Sequence, residues 1–256
     1  MCGLAGALIG SNRKRTREDL EAIGEMFTRL LAHSERRGPH ATGVALVNIG
    51  GNYYVSKAPT PAGRFVRSRS YRTIIGRLDT DTALLMGHTR WPTRGSHLDN
   101  ANNHPLVGRV RDGACILSHN GHISNADALF GAMGLRRKTQ VDSEILLRIA
   151  ERNMGHDGID PDGLAADLAW CRGRMSLVVV ATCDPTTVIL VKGNQPLEFR
   201  YSETMDVLLY ASESEFLDDA LGDAGGWTEW PVSPMRIVSV STRSLCEPII
   251  KPFHFG

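Results

Sequence analysis

A cysteine stands at position 2 of this chain, directly after the initiator methionine. If Met1 is removed, Cys2 carries both a thiol and a free α-amino group, so one residue supplies a nucleophile and a base. The ordinary pKa of a cysteine thiol is about 8.5 and that of an α-amine roughly 7.7–8.0. Both lie near neutral pH, where proton transfer between reacting groups is most useful, and N-terminal threonine nucleophiles work by the same logic. The position therefore predicts a nucleophile, although a second-position cysteine can also be accidental.

Four further segments place polar side chains beside glycine or at a predicted helix start. Such positions allow backbone and side chains to approach a ligand. The segments are Arg37–Gly43, Gly87–Gly95, Ser118–Asn125 and Val141–Glu144. We expect the partners of Cys2 to come from them.

Arg90, Asn120 and Gly121 are candidates for holding a substrate. Arg90 follows a predicted strand, where a guanidinium could grip a carboxylate with two parallel hydrogen bonds. A surface ion pair, which contributes little, explains its position equally well. The side-chain amide of Asn120 and the backbone N–H of Gly121 are a common way to build an oxyanion hole, with an ordinary Asn-Gly hairpin turn as the alternative.

Asp142 stands just before a predicted helix, where it could cap that helix or bind a substrate ammonium group. Several histidines lie in or near the same segments, but their spacings match no familiar zinc pattern and no acidic cluster accompanies them. They are His88, His104, His119 and His122. We therefore expect no metal site, and because the chain has neither a GxGxxG segment nor a P-loop, no nucleotide cofactor.

The first half of the chain alternates elements that could position these residues. Leu4–Ile9 is a predicted buried strand, and Thr16 with Asp19 marks the start of a helix that must end before Gly38. A long loop is predicted from Thr89 to Asp112, and loops of this length tend to be functional. Further predictions are a hairpin of Val44–Asn48 and Tyr53–Lys57, short strands at Ala83–Met86 and Ala114–Leu117, a helix capped by Ser124 with Asp127, and a helix over Ser143–Arg152.

The second half of the chain is rich in β-structure. Strands are predicted at Ser176–Thr182, Val188–Val191, Val207–Ala211 and Ile237–Val240, with a turn at Asp184-Pro185. Strands, then helices, then strands indicate an α+β protein with antiparallel sheets, and the absence of regular βαβ alternation argues against a doubly wound fold. No linker interrupts the chain, so we expect residues 1–256 to form one domain.

Composition narrows the class of protein. The formal net charge of +1 gives no reason to expect a nucleic acid or a membrane as partner, and the arginines between Arg64 and Arg77 are expected to form a solvated face rather than a phosphate site. Five cysteines, an odd number without CxxC spacing, argue against a disulfide framework and fit a reducing cytoplasm. The chain start does not read as a signal peptide, and no apolar stretch approaches the roughly 20 residues that span a bilayer.

The polar segments, taken together, resemble those of a known family. In order and spacing they are similar to the class II glutamine amidotransferases, whose glutaminase domains are N-terminal-nucleophile hydrolases. The matching segments are Met1–Gly3, Arg37–Gly43 (R-G-P-x-x-T-G), Gly87–Gly95 (G-H-T-R-W-x-T-x-G), Asn102–Pro105 (N-x-H-P), His119–Asn125 (H-N-G-x-I-x-N) and Asp142–Glu144 (D-S-E). Trp91 makes the glucosamine-6-phosphate synthase branch the most similar, and Gly193–Leu197 and Ala211–Glu213 resemble the later half of that domain.

The resemblance implies a four-layer α-β-β-α sandwich with two stacked antiparallel sheets, and hydrolysis of the side-chain amide of glutamine to glutamate and ammonia. It implies that Cys2 is the nucleophile and its amine the base, acting through a water molecule. It further implies that Asn120 and Gly121 form the oxyanion hole.

The resemblance also assigns the substrate contacts. Arg90 is expected to hold the α-carboxylate of glutamine, and Asp142 its α-ammonium group. Trp91 and Thr93 belong to a loop that folds over the substrate, and Arg37 packs beside the nucleophile and orients it.

Three residues depart from the family pattern, namely His40, Pro92 and His122, and none of them removes a catalytic group. Family members usually join this domain to a synthetase domain, which we do not expect within residues 1–256. The chain is therefore predicted to deliver ammonia to a separate synthetase or to act within a homo-oligomer. The alternatives are a stand-alone hydrolase of another γ-glutamyl compound and a non-catalytic regulatory subunit that keeps the fold.

Overall fold

The computed structural model describes residues 1–110 and 113–256. Its strands, in chain order, are β1 (Gly3–Ile9), β2 (Ala41–Asn48), β3 (Tyr53–Ala58), β4 (Thr82–Arg90), β5 (Leu106–Val110), β6 (Gly113–Ile123), β7 (Met154–Gly155), β8 (Gly158–Ile159), β9 (Gly173–Ala181), β10 (Asp184–Lys192), β11 (Glu198–Ser202), β12 (Val207–Ala211), β13 (Thr228–Glu229), β14 (Arg236–Ser241) and β15 (Ser244–Pro252). They form an antiparallel first sheet of order β13-β11-β12-β1-β4-β2-β3, a second of order β15-β14-β10-β9-β6-β5, and the small pair β7-β8.

Helices cover the outer face of both large sheets. They are α1 (Arg17–His33), α2 (Ala62–Phe65), α3 (Arg69–Ile75), α4 (Ala126–Ala132), α5 (Glu144–Arg152), α6 (Pro161–Leu168) and α7 (Ser214–Leu221), with 3₁₀ turns at Ser34–Arg37 and Asn100–Asn102. Apolar residues of α1, α2, α3 and α7 pack on the first sheet, and those of α4, α5 and α6 pack on the second. The predicted α-β-β-α sandwich is confirmed.

The two sheets face each other through a third apolar layer, to which Leu4 and Leu8 of β1 and Val178 and Val180 of β9 contribute. Because strand side chains alternate between faces, every second residue of these strands points into the layer. The layer is apolar in its middle and becomes polar toward one end. That end receives the start of β1, the end of β4, the end of β6 and the start of β9.

Local sequence signals explain several element bounds. The side chain of Thr16 accepts a hydrogen bond from the Asp19 backbone N–H, and the Asp19 carboxylate accepts one from the Thr16 N–H, so the predicted capping box starts α1. The predicted hairpin is formed by β2 and β3, and its turn contains Gly50 and Gly51, of which Gly51 has a φ of 80°.

Other predicted bounds are wrong. The strand predicted at Ala83–Met86 continues to Arg90, because the polar residues after Met86 are also buried. The loop predicted from Thr89 to Asp112 contains β5, whose mixed burial pattern gives little periodicity; residues 111 and 112 lie outside the described residues. The chain turns at Thr182 and Cys183 rather than at Asp184-Pro185, which begins β10.

The predicted cap at Ser124 is also wrong. Asn125 precedes α4 without a capping hydrogen bond, and the Ser124 hydroxyl donates to the Arg172 carbonyl instead. Within residues 1–110 and 113–256, no helix has the length and hydropathy needed to cross a lipid bilayer.

Candidate active site

Cys2 lies at the polar end of the layer between the sheets, just before β1. Its Sγ is 3.5 Å from the Trp91 carbonyl oxygen, to which it donates. Burial raises the pKa of the Cys2 thiol, and the nearby charge of Arg90 opposes that shift. The thiol is therefore mostly protonated at neutral pH and needs a base before it can attack.

Arg37 holds the nucleophile by its backbone. The Arg37 Nε–H donates to the Cys2 carbonyl oxygen at 2.8 Å, and its Nη1 pairs with Glu213. Ser212, beside Glu213, receives a hydrogen bond from the Leu4 N–H at 2.9 Å and donates its own N–H to the Leu4 carbonyl. The start of β1 is thus fixed from two directions.

Gly38 explains why Arg37 can reach Cys2. The chain after the 3₁₀ turn crosses the end of β4 so closely that a Cβ at Gly38 would lie 2.5 Å from the Arg90 carbonyl carbon. Pro39 then forms a β-bridge with Arg90. Only glycine permits this backbone contact, which places Arg37 beside the nucleophile.

Arg90 is buried, with 3% of its surface exposed, so the surface ion pair considered from sequence is wrong. Its Nη1 donates to the Ser96 carbonyl at 3.3 Å and to Asn103 Oδ1 at 2.7 Å. Its Nη2 donates to the carbonyls of Arg94 and Gly95 at 2.7 and 2.9 Å. In this structure the guanidinium therefore shapes the loop that follows β4.

The buried side-chain amides of Asn103 and Asn102 also hold the loop after β4 in place by hydrogen bonds. Asn103 donates to the His97 carbonyl at 2.7 Å. Asn102 donates to the Ser96 carbonyl at 3.0 Å and to Gln140 Oε1 at 2.9 Å, and it accepts from the Gln140 N–H at 2.9 Å. The loop after β4 is thereby joined to the segment that precedes Asp142.

Trp91 and Thr93 lie on the outside of this loop, where both are exposed. The Trp91 ring stands edge-on to the His40 ring, with ring centres 5.0 Å apart. Trp91 and Pro39 line a surface cleft of about 620 Å³. The Thr93 side chain makes no hydrogen bond with the described residues, so both side chains are available to a ligand.

The second sheet contributes Asn120 and Gly121, near the end of β6. Asn120 is fully buried, and neither its Nδ2 nor its Oδ1 has a hydrogen-bond partner among the described residues. Gly121 has a φ of 149°, and a Cβ there would lie 1.9 Å from the Arg174 carbonyl oxygen. A side chain cannot replace this glycine without moving β9.

Asp142 is buried, and its Oδ2 accepts from the Ile123 N–H at 2.6 Å. The same oxygen lies 3.3 Å from His122 Nδ1. Its Oδ1 has no hydrogen-bond partner among residues 1–110 and 113–256. Asp142 does not cap α5, which begins after Ser143 without a side-chain cap, so the capping alternative from sequence is wrong.

Sequence reasoning missed the residues that brace the site from behind. His119 Nδ1 lies 2.8 Å from the Ser143 hydroxyl, and its Nε2 lies 3.3 Å from the Arg174 carbonyl. The Glu144 carboxylate accepts from the backbone N–H groups of Lys138 and Thr139 and pairs with Arg148. His119, Ser143 and Glu144 all belong to the H-N-G and D-S-E segments, and that membership was the available signal.

Two more histidines are buried beside the site. His88 Nε2 lies 3.1 Å from the His119 carbonyl oxygen, and the His88 ring is 4.3 Å from that of His104. Burial lowers the pKa of His88 to about 3 and that of His104 well below its ordinary value. Both imidazoles are neutral at pH 7. Across the described ranges, no three His, Cys, Asp or Glu side chains converge as a metal site would require.

This sandwich, with a cysteine at its N-terminal edge, is the fold of the N-terminal-nucleophile hydrolases, and the chain is a relative of the class II glutamine amidotransferases. It is 28% identical over 231 residues to a glutamine–fructose-6-phosphate aminotransferase of Pyrococcus horikoshii, covering 86% of this chain and 35% of that protein. It is 24% identical over 245 residues to a 7-cyano-7-deazaguanine synthase of Saccharolobus solfataricus, covering 96% of this chain and 49% of that protein.

A solved structure shares the fold. The glutamine phosphoribosylpyrophosphate amidotransferase of B. subtilis superposes with a TM-score of 0.74 at 18% identity, covering 100% of this chain and 50% of that one. No family model matches the chain. The chain spans half or less of the length of these relatives. The resemblance seen in the sequence and the predicted class of enzyme are confirmed.

Proposed function

We propose that this chain hydrolyses the side-chain amide of glutamine to glutamate and ammonia through a thioester on Cys2. One observation carries the proposal: the buried Asn120 amide has no hydrogen-bond partner among the described residues, whereas the buried amides of Asn102 and Asn103 are fully engaged. A buried polar group without a partner costs free energy. An amide kept in this state on the same inner layer as a nucleophile fits the oxyanion of a tetrahedral intermediate.

The first half of the reaction uses the Cys2 amine that removal of Met1 frees. The amine, through a water molecule, accepts the proton of the thiol, and Sγ attacks the side-chain carbonyl carbon of glutamine. The carbonyl oxygen becomes an oxyanion that accepts hydrogen bonds from Asn120 Nδ2 and the Gly121 N–H. When the C–N bond breaks, the protonated amine returns its proton to the departing nitrogen, and ammonia leaves.

The second half releases glutamate. Water attacks the thioester carbonyl as the amine takes its proton, and the same two donors hold the second oxyanion. The C–S bond then breaks, and the thiol regains a proton. Because burial disfavours the thiolate, the sulfur is a poor resting anion and the amine is needed in both halves.

Asp142 and Arg90 carry the charges that complement the α-ammonium group and the α-carboxylate of glutamine, respectively. The free Oδ1 of Asp142 can accept the α-ammonium group. We keep the prediction that Arg90 binds the α-carboxylate, which requires that loop carbonyls release two of its donors when Trp91 and Thr93 close over the substrate. Arg90→Lys, which keeps the charge and loses the planar fork, tests that prediction through the KM for glutamine.

We further propose that the ammonia is passed to a synthetase, either a separate protein or part of a longer chain. The relatives that carry this region are named for amidotransferase, aminotransferase or synthase reactions. All five cysteines are free thiols, which fits a reducing compartment such as the cytoplasm.

The test is glutamate release from glutamine by the purified protein, compared with Cys2→Ala. Loss of release in the variant, together with labelling of Cys2 in the wild type by a diazo-ketone analogue of glutamine, is expected. Mass spectrometry of the same sample should show that Met1 is absent. Glutamate release by Cys2→Ala, or Met1 retained in an active protein, contradicts the mechanism.

A further inference from the structure

The Oδ1 atom of Asn120 is an acceptor that the proposed reaction does not use. The oxyanion can receive a hydrogen bond from Asn120 Nδ2, but Oδ1 has no hydrogen to give. Oδ1 is nevertheless buried and has no hydrogen-bond partner among the described residues. Because a buried acceptor without a donor costs free energy, this side of the amide needs a partner of its own.

Three more side chains beside Asn120 share this state. Ser118 lies two residues earlier on the same inner face of β6, and its hydroxyl has no partner within residues 1–110 and 113–256. His88 Nε2 contacts the carbonyl oxygen of His119, which stands between Ser118 and Asn120, while His88 Nδ1 is unpartnered in the same ranges. The His104 ring lies 4.3 Å from that of His88, and neither of its nitrogens is paired there. No more than 4% of any of these four residues is exposed.

The side chains around Asn120 Oδ1 offer it no direct donor within the described part of the chain. A carbonyl oxygen only accepts, so the hydrogen of the neutral His88 ring is on Nε2, and Nδ1 is an acceptor. Ser176, which pairs with Asn120 across β9, gives its hydroxyl hydrogen to the Gln195 carbonyl at 2.6 Å. The Ser118 hydroxyl is a free donor, but residues two positions apart on a strand are separated by roughly 6.6 Å, too far for a direct hydrogen bond.

We propose that a buried water molecule joins Ser118, His88 and Asn120 and so positions the oxyanion hole, an inference that rests on the proposed function of Asn120. The separation of roughly 6.6 Å along the strand suits a bridge of two hydrogen bonds of about 2.8 Å each through one water oxygen. The water accepts from the Ser118 hydroxyl and donates to Asn120 Oδ1 and His88 Nδ1. Three hydrogen bonds to otherwise unsatisfied groups are typical of a buried water.

This water decides which end of the Asn120 amide meets the substrate. The two ends have nearly the same shape, so an unheld amide could turn over and present its oxygen to the oxyanion. With Oδ1 held by the water, Nδ2 is aimed at the oxyanion before the reaction starts, and no reorganisation is needed as the charge forms. Ser118 and His88 are therefore positioning residues that act through Asn120.

The test is a double-mutant cycle of the full chain, in which kcat and KM for glutamine are measured for Ser118→Ala, Asn120→Ala and the double variant. Ser118→Ala should lower kcat roughly three- to tenfold, which corresponds to one net hydrogen bond, and leave KM within about twofold of the wild type. In the Asn120→Ala background the same change should lower kcat by less than about twofold, because groups that act through one another are not additive. A purely structural role of Ser118 would lower kcat equally in both backgrounds.

Thr242→Val is the matched control. It also removes a buried hydroxyl that has no partner among the described residues. The Thr242 carbonyl accepts from the Ser11 N–H, beyond the end of β1 that is opposite to Cys2. This variant should keep the wild-type kcat, and thermal unfolding of every variant checks that it is folded.

A crystal structure of the wild type that resolves ordered water gives a readout independent of activity. We expect a water oxygen within about 3 Å of Ser118 Oγ, Asn120 Oδ1 and His88 Nδ1. In a crystal structure of Ser118→Ala this water should be displaced or lost.

The results that overturn the proposal are easily told apart. If the wild type is active but no water joins the three groups, or if Ser118→Ala leaves kcat within about twofold or lowers it equally in both backgrounds, the positioning role is wrong while the proposed function stands. If the wild type releases no glutamate from glutamine and Cys2 is not labelled by the diazo-ketone analogue, the proposed function fails. A water found in the crystal is then a structural water only, and the positioning role fails as well.

Discussion

The two sheets bring opposite kinds of polar group to the candidate site. The first sheet and its loop contribute Arg37 and Arg90, whose donors are bound to backbone carbonyls, Glu213 and Asn103. The second sheet contributes Asn120, whose buried amide has no hydrogen-bond partner among the described residues. Most side-chain donors of Arg37 and Arg90 are therefore hydrogen-bonded, with Arg37 Nη2 as an exception, whereas the Asn120 amide is left open.

This difference separates two tasks. Hydrogen-bonded groups fix the position of the nucleophile and the loop, which is how a protein prepares a reactive geometry in advance. Unpartnered groups lower stability until a ligand supplies the missing contact. Substitutions in the bonded half should therefore reduce folding stability, and substitutions in the open half should reduce turnover.

Asn120→Ala should give the largest effect on turnover. Loss of one oxyanion donor raises the barrier by about 2.7–4 kcal/mol, which lowers kcat roughly 10²- to 10³-fold. The free energy of unfolding should change by less than about 1 kcal/mol, because the amide that is removed had no partner and was costly to bury. Steady-state kinetics and urea unfolding of the same preparation measure both quantities.

Asn103→Ala is the matched control for that variant. Its amide donates to the His97 carbonyl and to Asn100 Oδ1 and accepts from Arg90. Removing it should lower the free energy of unfolding by about 2 kcal/mol. If Asn120→Ala is as destabilised as Asn103→Ala while kcat is unchanged, the division between the two halves is wrong.

Arg37→Ala tests the bonded half. The variant loses the hydrogen bond to the Cys2 carbonyl and leaves the partly buried Glu213 without its partner. We expect the free energy of unfolding to fall by about 2–3 kcal/mol, and kcat to fall because the start of β1 is freed. Chemical unfolding and glutaminase assays measure the two effects.

The neighbouring Arg36 offers a control of equal charge. It is 45% exposed and pairs at the surface with Glu215 and Asp219. Arg36→Ala should cost at most about 1 kcal/mol of stability and leave kcat unchanged. Equal losses in the two variants would show that charge, rather than the bond to Cys2, explains the effect of Arg37→Ala.

The sequence predicted the reacting groups better than it predicted what holds them. Cys2, Asn120, Gly121 and Asp142 were found because their residue types and order carry chemistry. The structure places them at one end of the layer between the sheets, but their roles stay predictions. The fold class was confirmed because the apolar segments and turn signals outline strands and helices before any long-range contact is known.

Only part of the bonded half could be predicted from the sequence: Arg37 was expected beside Cys2, but the contacts that hold the loop after β4 were not. Arg90 was expected to face a ligand, whereas its guanidinium is turned to carbonyls four to six residues later. Such contacts depend on the path of an irregular loop, which has no periodicity to read. Strand β5 was missed for a similar reason, since an edge strand with a glycine and an exposed arginine shows a weak pattern.

The buried imidazoles predict a loss of stability in acid. Burial lowers the pKa of His88 to about 3 and that of His104 well below its ordinary value, and the charges of Arg90 and Lys57 act in the same direction. The unfolded chain takes up these protons near pH 6.5, whereas the folded chain does not. The neutral imidazoles therefore leave the free energy of unfolding intact above about pH 6.5. As the pH falls to 5, the free energy of unfolding decreases by about 2 kcal/mol per imidazole.

His104→Phe isolates one of these groups, because neither ring nitrogen of His104 has a hydrogen-bond partner among the described residues. Between pH 6.5 and 5 the variant should lose about 2 kcal/mol less stability than the wild type. Urea unfolding at a series of pH values measures the difference. His156, which is fully exposed, serves as the control. In His156→Phe the free energy of unfolding should change with pH as it does in the wild type. An unchanged slope in His104→Phe would mean that His104 is protonated within the fold.

Tyr210→Phe should have the smallest effect and sets the limit of the comparison between the two halves. The Tyr210 hydroxyl is buried and has no partner among the described residues, as Asn120 has none, but it lies over Gly6, two strand positions beyond Leu4 and farther from Cys2. Removing a hydroxyl that makes no hydrogen bond should change the free energy of unfolding by less than about 1 kcal/mol, and kcat should not change. A large fall in kcat would show that unpartnered polar groups serve the reaction well beyond the oxyanion site. The buried polar groups that await a ligand would then include residues in the middle of the layer between the sheets, and not only Asn120 at its polar end.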